Sequence, residues 1–217
     1  DWKAIHPQIQ NEQLKENTQW RDKGSVNGSS YNWHKHNPVF WEQFYEQIPN
    51  MQQIYFAGGE SLIIDEHYEI LEECIRQGHA KNLELRYNSN GVEWRDDLFE
   101  LWKEFKLVRF HYSVDSIGEM NSYIRYPSDW KRTEEVFHIL DKETSNNVEV
   151  TVACAVQALN VYYLPDFIKW KLEQNFHKIN MWPFGAGGVN YHFVYHPAHL
   201  NVKVLPAGIA FKILKLP

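Results

Sequence analysis

Glu60, Asn88, Asn90, Ser113 and Asp115 are the residues of this sequence best suited to polar chemistry on a small ligand, and all stand where apolar runs end. They belong to IYFAGGES (54–61), LRYNSNG (85–91) and VRFHYSVDS (108–116). Gln157 stands in the same relation to the run that closes at Val156. Gly58 and Gly59 let the backbone turn tightly and approach a ligand with free N–H groups, and the carboxylate of Glu60 beside them can accept hydrogen bonds from an ammonium group. Asn88 and Asn90 offer donors and acceptors, although Asn90-Gly91 is also a common turn dipeptide. Ser113 and Asp115 are two apart, so along a strand they point the same way and could share one ligand. Each has a plainer reading. A Gly-Gly-Glu turn is more often a simple βα connection, and Asp115 serves equally well as a turn or helix cap.

These residues converge only if the runs before them are parallel strands, because then the strand C-termini and the loops beyond them open on one face. The pattern supports that arrangement. Pro38 opens an amphipathic helix with Phe40, Trp41, Phe44, Tyr45 and Ile48 that Pro49 ends. Strands are expected at 53–57, 83–87, 107–114, 148–156 and 177–181. Helices are expected from Asp65 as cap to Gly78 as stop, over 97–105, from Ser128 as cap through Leu140, and over 164–174. Strands alternating with helices mean parallel βαβ units in an α/β fold. Residues 1–37 read as a polar, irregular segment, 38–182 as the βα core, and 183–217 as an irregular exit segment.

At 217 residues the chain can bury one substantial core, and a formal charge of −6 with dispersed charges gives no footprint for nucleic acid. No apolar run approaches the roughly 20 residues needed to span a bilayer, and the N-terminus has no signal-peptide core. The expectation is a soluble, cytoplasmic protein. Cys74 and Cys154 read as buried small hydrophobes. His192, His196 and His199 have a spacing reminiscent of metal ligands. Pro197 disfavours the helix that would align them, and no carboxylate or thiolate is near, so they are not read as a metal site. His34 and His36 lie in a polar loop. There is no P-loop, nucleophile elbow or dinucleotide fingerprint.

The combination of IYFAGGESLI (54–63), YNSNG (87–91), YSVDSIGEMNSYIRYPSDW (112–130) and YHPAHLNVKVLP (195–206) resembles the radical SAM superfamily, closest to its type with a shortened, partial TIM barrel. The resemblance implies an open, curved parallel sheet that binds S-adenosylmethionine. It assigns Gly58, Gly59 and Glu60 to the methionyl amino group, places Asn90, Ser113 and Asp115 near the ribose and methionyl carboxylate, and places Val156 and Gln157 near the adenine. Asn88 joins this set by its position. The implied chemistry is reductive cleavage of the cofactor to a 5′-deoxyadenosyl radical that abstracts hydrogen from a substrate.

One departure matters. The family's [4Fe–4S] cluster is held by three cysteines at C-x3-C-x2-C spacing before the Gly-Gly-Glu segment, and no cysteine precedes Gly58 here. The chain therefore reads either as a fragment, which its start at Asp1 favours, or as a degenerate member, and in both cases as inactive by itself. The first strand of such a barrel is also missing, and the sheet edge so exposed would be covered by residues 1–37 or by a second copy of the chain. The rivals are a non-catalytic module binding a nucleoside or a protein, and an unrelated hydrolase or lyase using Glu60 and Asp115 as acid and base.

Overall fold

A computed structural model describes residues 37–179, 189–206 and 208. The chain divides into two compact units, Asp1–Ile48 and Pro49–Pro217. In the first, helix α1 (Pro38–Gln47) begins where the fixed φ of proline suits a first turn, and the Asn37 side chain caps it by accepting from Phe40 N at 3.1 Å. Residues 1–36, and with them the expected polar segment and His34 and His36, lie outside the described residues.

The second unit is built on one sheet. Strands β1 (Gln53–Phe56), β2 (Glu84–Ser89), β3 (Leu107–Ser113), β4 (Val148–Val156) and β5 (Val189–Phe193) lie side by side in chain order, every pair parallel. Helices α2 (Asp65–Arg76), α3 (Leu98–Lys103), α4 (Gly118–Ile124), α5 (Trp130–Asp141) and α6 (Leu164–Glu173) run between them. β1 and β5 are the edges, so the sheet is open among the described residues, the architecture of a partial (βα) barrel.

Side-chain alternation gives the sheet two different faces. Leu85 and Tyr87, then Val108, Phe110 and Tyr112, then Val150, Val152 and Cys154 are all buried on one face. There Tyr87 meets Trp102 of α3 at 5.3 Å between ring centroids, and Tyr112 meets Phe137 of α5 at 4.9 Å, edge to face. Each such side chain contributes about 1.5–3 kcal/mol by leaving water, which makes this layer the frame of the unit. The opposite face is half-exposed and polar. Arg109 on β3 bridges Glu84 on β2 and Glu149 on β4, the latter at 3.0 Å, and His111 Nδ1 lies 2.7 Å from Thr151 Oγ1.

Three expectations need correction. Residues 177–179 form turns rather than a strand, and 180–181 lie outside the described residues; the fifth strand is Val189–Phe193, in the stretch read as irregular. Its sequence VNYHF mixes apolar and polar residues on an edge, so no continuous apolar run marks it. Helix α5 is capped by Asp129, which accepts from Arg132 N at 3.2 Å, and not by Ser128, one residue too early to reach that donor. Asp65 is the first residue of α2, preceded by Ile64 without a side-chain cap. Helix α4 was not foreseen at all, because GEMNSYI carries too few apolar residues to show a periodic face. No helix among the described residues is long and apolar enough to cross a membrane.

Candidate functional site

The loop after β1 turns through two left-handed residues, Gly58 at φ 83° and Gly59 at φ 53°. A Cβ at either position would meet nothing within 4 Å, so conformation and not crowding demands glycine there. The turn delivers Glu60, whose carboxylate is then held from β2. Oε1 accepts from Ser89 Oγ at 2.6 Å and Oε2 from Asn90 N at 2.8 Å. Ser89 Oγ also accepts from Gly91 N at 2.9 Å, and Asn90 Oδ1 accepts from Val92 N at 3.0 Å. Gly91 combines φ 59° with a close approach: a Cβ there would stand 3.1 Å from Val136 Cγ1 and 3.2 Å from Tyr112 Cε2.

On the far side, Asp115 is 4% exposed and both its oxygens are engaged. Oδ1 accepts from Ala155 N at 2.7 Å, and Oδ2 pairs with Arg125 at 2.8 Å. The Asp115 and Ser116 N–H groups both donate to Asn121 Oδ1, which fixes the bend out of β3. Arg132, from the first turn of α5, donates to Val92 O at 2.9 and 3.1 Å and lies over the Trp94 ring at 5.5 Å. The loop after β2 is thereby pinned to α5.

Between these groups lies a cavity of about 740 Å³. Glu60, Asn90, Asp115 and Gln157, each from the end of a different strand, all line it. Arg125 and Arg132 place two guanidinium groups beside the carboxylates of Glu60, Glu93, Asp115 and Asp129, so the wall carries both signs of charge. A zwitterionic ligand of nucleoside size suits such a wall. Tyr126, 87% exposed, stands at the rim.

Two of the residues singled out in the sequence are not brought in. β2 runs on to Ser89, two residues beyond its expected end, so Asn88 is a strand residue on the open face and donates to Tyr55 Oη at 2.6 Å. Ser113 is the last residue of β3, opposite Ala153, and does not line the cavity. Conversely, Ser89, Arg125 and Arg132 were passed over. Arg125 lies inside the motif segment 112–130, and its pairing with Asp115 ten positions away leaves no mark in the local pattern.

The two cysteines do not fit an iron–sulfur cluster, which takes thiolates from several cysteines at one place. Cys74 is inside α2 and Cys154 inside β4, both fully buried and free, and burial pushes each thiol up to about 12. Among the described residues no three His, Cys, Asp or Glu side chains are grouped to hold a metal ion. His192, His196 and His199 are exposed and ungrouped.

Comparison with solved structures places the fold. Native anSMEcpe with bound AdoMet matches with a TM-score of 0.52 at 19% identity, over 70% of this chain and 41% of that one. Streptococcus suis SuiB bound to S-adenosylmethionine matches with a TM-score of 0.46 at 11% identity, over 70% of this chain and 36% of that one. The chain thus spans well under half the length of these proteins. Among curated proteins none matches the sequence. A family model described as the radical SAM superfamily matches residues 39–157.

Proposed function

The chain belongs to the radical SAM superfamily, and from that premise we propose that it is a core that binds S-adenosylmethionine in the cavity at the strand ends. The observation that carries this reading is convergence. Four residues from four successive strand ends, scattered over nearly 100 positions of sequence, line one cavity large enough for a nucleoside. The Gly58-Gly59 turn leaves the backbone open to the ligand. Glu60, already oriented by Ser89 Oγ and Asn90 N, keeps lone pairs for an ammonium group. Arg125, anchored on Asp115, supplies a fixed donor for a carboxylate. Asn90 is placed to serve the ribose or the methionyl carboxylate, and Gln157 the base. Ser113 and Asn88 take part only if the ligand extends over the open face of the sheet.

When bound beside a reducing cluster, S-adenosylmethionine supplies the family's 5′-deoxyadenosyl radical for hydrogen abstraction. The residues of this chain bind, orient and exclude water. They provide no ligand set for the cluster, so the chain by itself binds without cleaving.

Calorimetry with S-adenosylmethionine tests the proposal. Dissociation constants of tens of micromolar or weaker are expected, because a missing metal contact removes several kcal/mol and each 1.4 kcal/mol is about tenfold. Glu60→Ala should abolish binding, with the thermal midpoint followed to show that the variant still folds. Reconstitution with iron and sulfide should yield neither a stoichiometric cluster nor 5′-deoxyadenosine, and one equivalent of either per chain would show that the cysteine count has been misjudged. Absence of binding by the unaltered chain overturns the reading and favours a protein-binding module.

A further inference from the structure

The open face of the sheet changes character along its strands. Toward the strand N-termini it holds Glu84 and Glu149, and Arg109 bridges the two. Toward the C-termini it carries no acid. Asn88, His111 and Thr151 form one row across β2, β3 and β4, and Ser113, Ala153 and Asn190 form the next across β3, β4 and β5. His192 lies opposite Ala155, whose N–H donates to Asp115 on the cavity wall, so this half of the face adjoins the cavity.

Its polar groups are only partly used. Arg86 spends Nε on Glu84 at 2.8 Å, its side chain is 41% exposed, and its two terminal nitrogens have no partner among the described residues. His111 meets Thr151 Oγ1 by Nδ1 at 2.7 Å and keeps Nε2 open. Burial, and then the positive charges of Arg86, His192 and Arg109, lower the pKa of His111, with Glu149 opposing them. The field at the ring is therefore positive. Open donors in a positive field, with no carboxylate nearby to occupy them, suit an anion.

We infer that this half of the face is a substrate site for an oxyanion, a carboxylate or a phosphate, held by the terminal nitrogens of Arg86 and by His111 Nε2. The inference rests on the reading that S-adenosylmethionine occupies the adjoining cavity, which is what makes a ligand here a substrate. Arg86 and His111 stand one strand and two residues apart, roughly 8 Å between backbones, so side chains of their length reach one group. Two adjacent guanidinium N–H groups match two oxygens of one anion. The Thr151 hydroxyl donates to Nδ1, which leaves the ring hydrogen on Nε2 to face the anion. His192 adds positive charge from β5. The short side chains of Ser113, Ala153 and Ala155, half-exposed, leave room for the rest of the substrate beside the cavity.

The test uses the full chain with its histidine ring resonances assigned. It is titrated with acetate and, separately, with inorganic phosphate at constant ionic strength, with chloride as the reference. His111 and His192 should shift along one saturating curve, and His138, exposed on α5, should not follow it. Arg86→Gln should weaken binding at least about fivefold, and Arg86→Lys, which keeps the charge and loses the fork, about twofold. The more tightly held of the two anions names the substrate's group. Shifts no larger than those with chloride, or an unchanged affinity in Arg86→Gln, overturn the inference; should that variant not fold, an unchanged affinity in Arg86→Lys does so. Calorimetry of the unaltered chain with S-adenosylmethionine separates the two readings. Cofactor binding without saturating shifts sinks the oxyanion site alone, and saturating shifts without cofactor binding support that site while the cofactor reading falls.

Discussion

His67 is a titratable side chain sealed inside an aromatic cage. It is 3% exposed, packs edge-on against Phe56 and Tyr68, lies 2.9 Å by Nε2 from Tyr87 Oη, and leaves Nδ1 without a partner. Burial, and then the positive charge of Arg95, lowers its pKa from 6.5 to about 4. The folded state thus keeps the ring neutral where the unfolded chain takes up a proton. The associated stability is full above pH 6.5 and is lost progressively as pH falls to about 4, amounting to about 3 kcal/mol. Urea titrations at pH 7 and pH 4.5 should show this loss, and His67→Phe should show a smaller one. At the same scale, glycines separate crowding from conformation. Gly91→Ala combines a left-handed φ with contacts at 3.1 and 3.2 Å and should cost about 2–4 kcal/mol. Gly58→Ala meets open space and should cost only the conformational part, about 1–2 kcal/mol. Equal midpoint shifts in urea would show that the packing around Gly91 yields.

Among the elements, α5 joins fold to site. Its buried side, Thr133, Val136, Phe137 and Leu140, packs in the core, while its first turn carries Arg132 to the Val92 carbonyl at the cavity wall. The helix start is therefore doubly determined, by Asp129 as cap and by the loop that Arg132 pins. Asp129→Ala should destabilise by about 1 kcal/mol through the lost cap. Ser128→Ala, which removes only a 3.3 Å contact to Thr133 Oγ1, should cost less than half of that. A larger effect at Ser128 in equilibrium denaturation would return the cap to the position expected from sequence.

For the whole molecule, stability and binding are linked, because a ligand that binds only the folded chain adds to its stability. S-adenosylmethionine at a hundred times its dissociation constant should add about 2.7 kcal/mol. In a domain of this size that raises the thermal midpoint by roughly 5–11 °C. Glu60→Ala should remove the rise while leaving the ligand-free midpoint within a few degrees. Scanning calorimetry with and without ligand measures both quantities, and a rise that survives in Glu60→Ala places the ligand elsewhere.

The alternation of apolar runs with amphipathic stretches determined the parallel order of the first four strands, since local pattern and short connections leave few other arrangements. The strand-end position of Glu60, Asn90, Asp115 and Gln157 was legible for the same reason, a strand end being a local property. The rest belongs to tertiary structure. β5 carries no apolar signature because an edge strand is covered on fewer sides, and only its pairing with β4 reveals it. Asn88 left the site because pairing with β3 extends β2 to Ser89, and Ser113 because, two residues beyond His111 on β3, it shares the half-exposed face of the sheet with Arg109 and His111. Ser89, Arg125 and Arg132 joined it through hydrogen bonds to partners 10 to 40 positions away, and no local pattern encodes such distances.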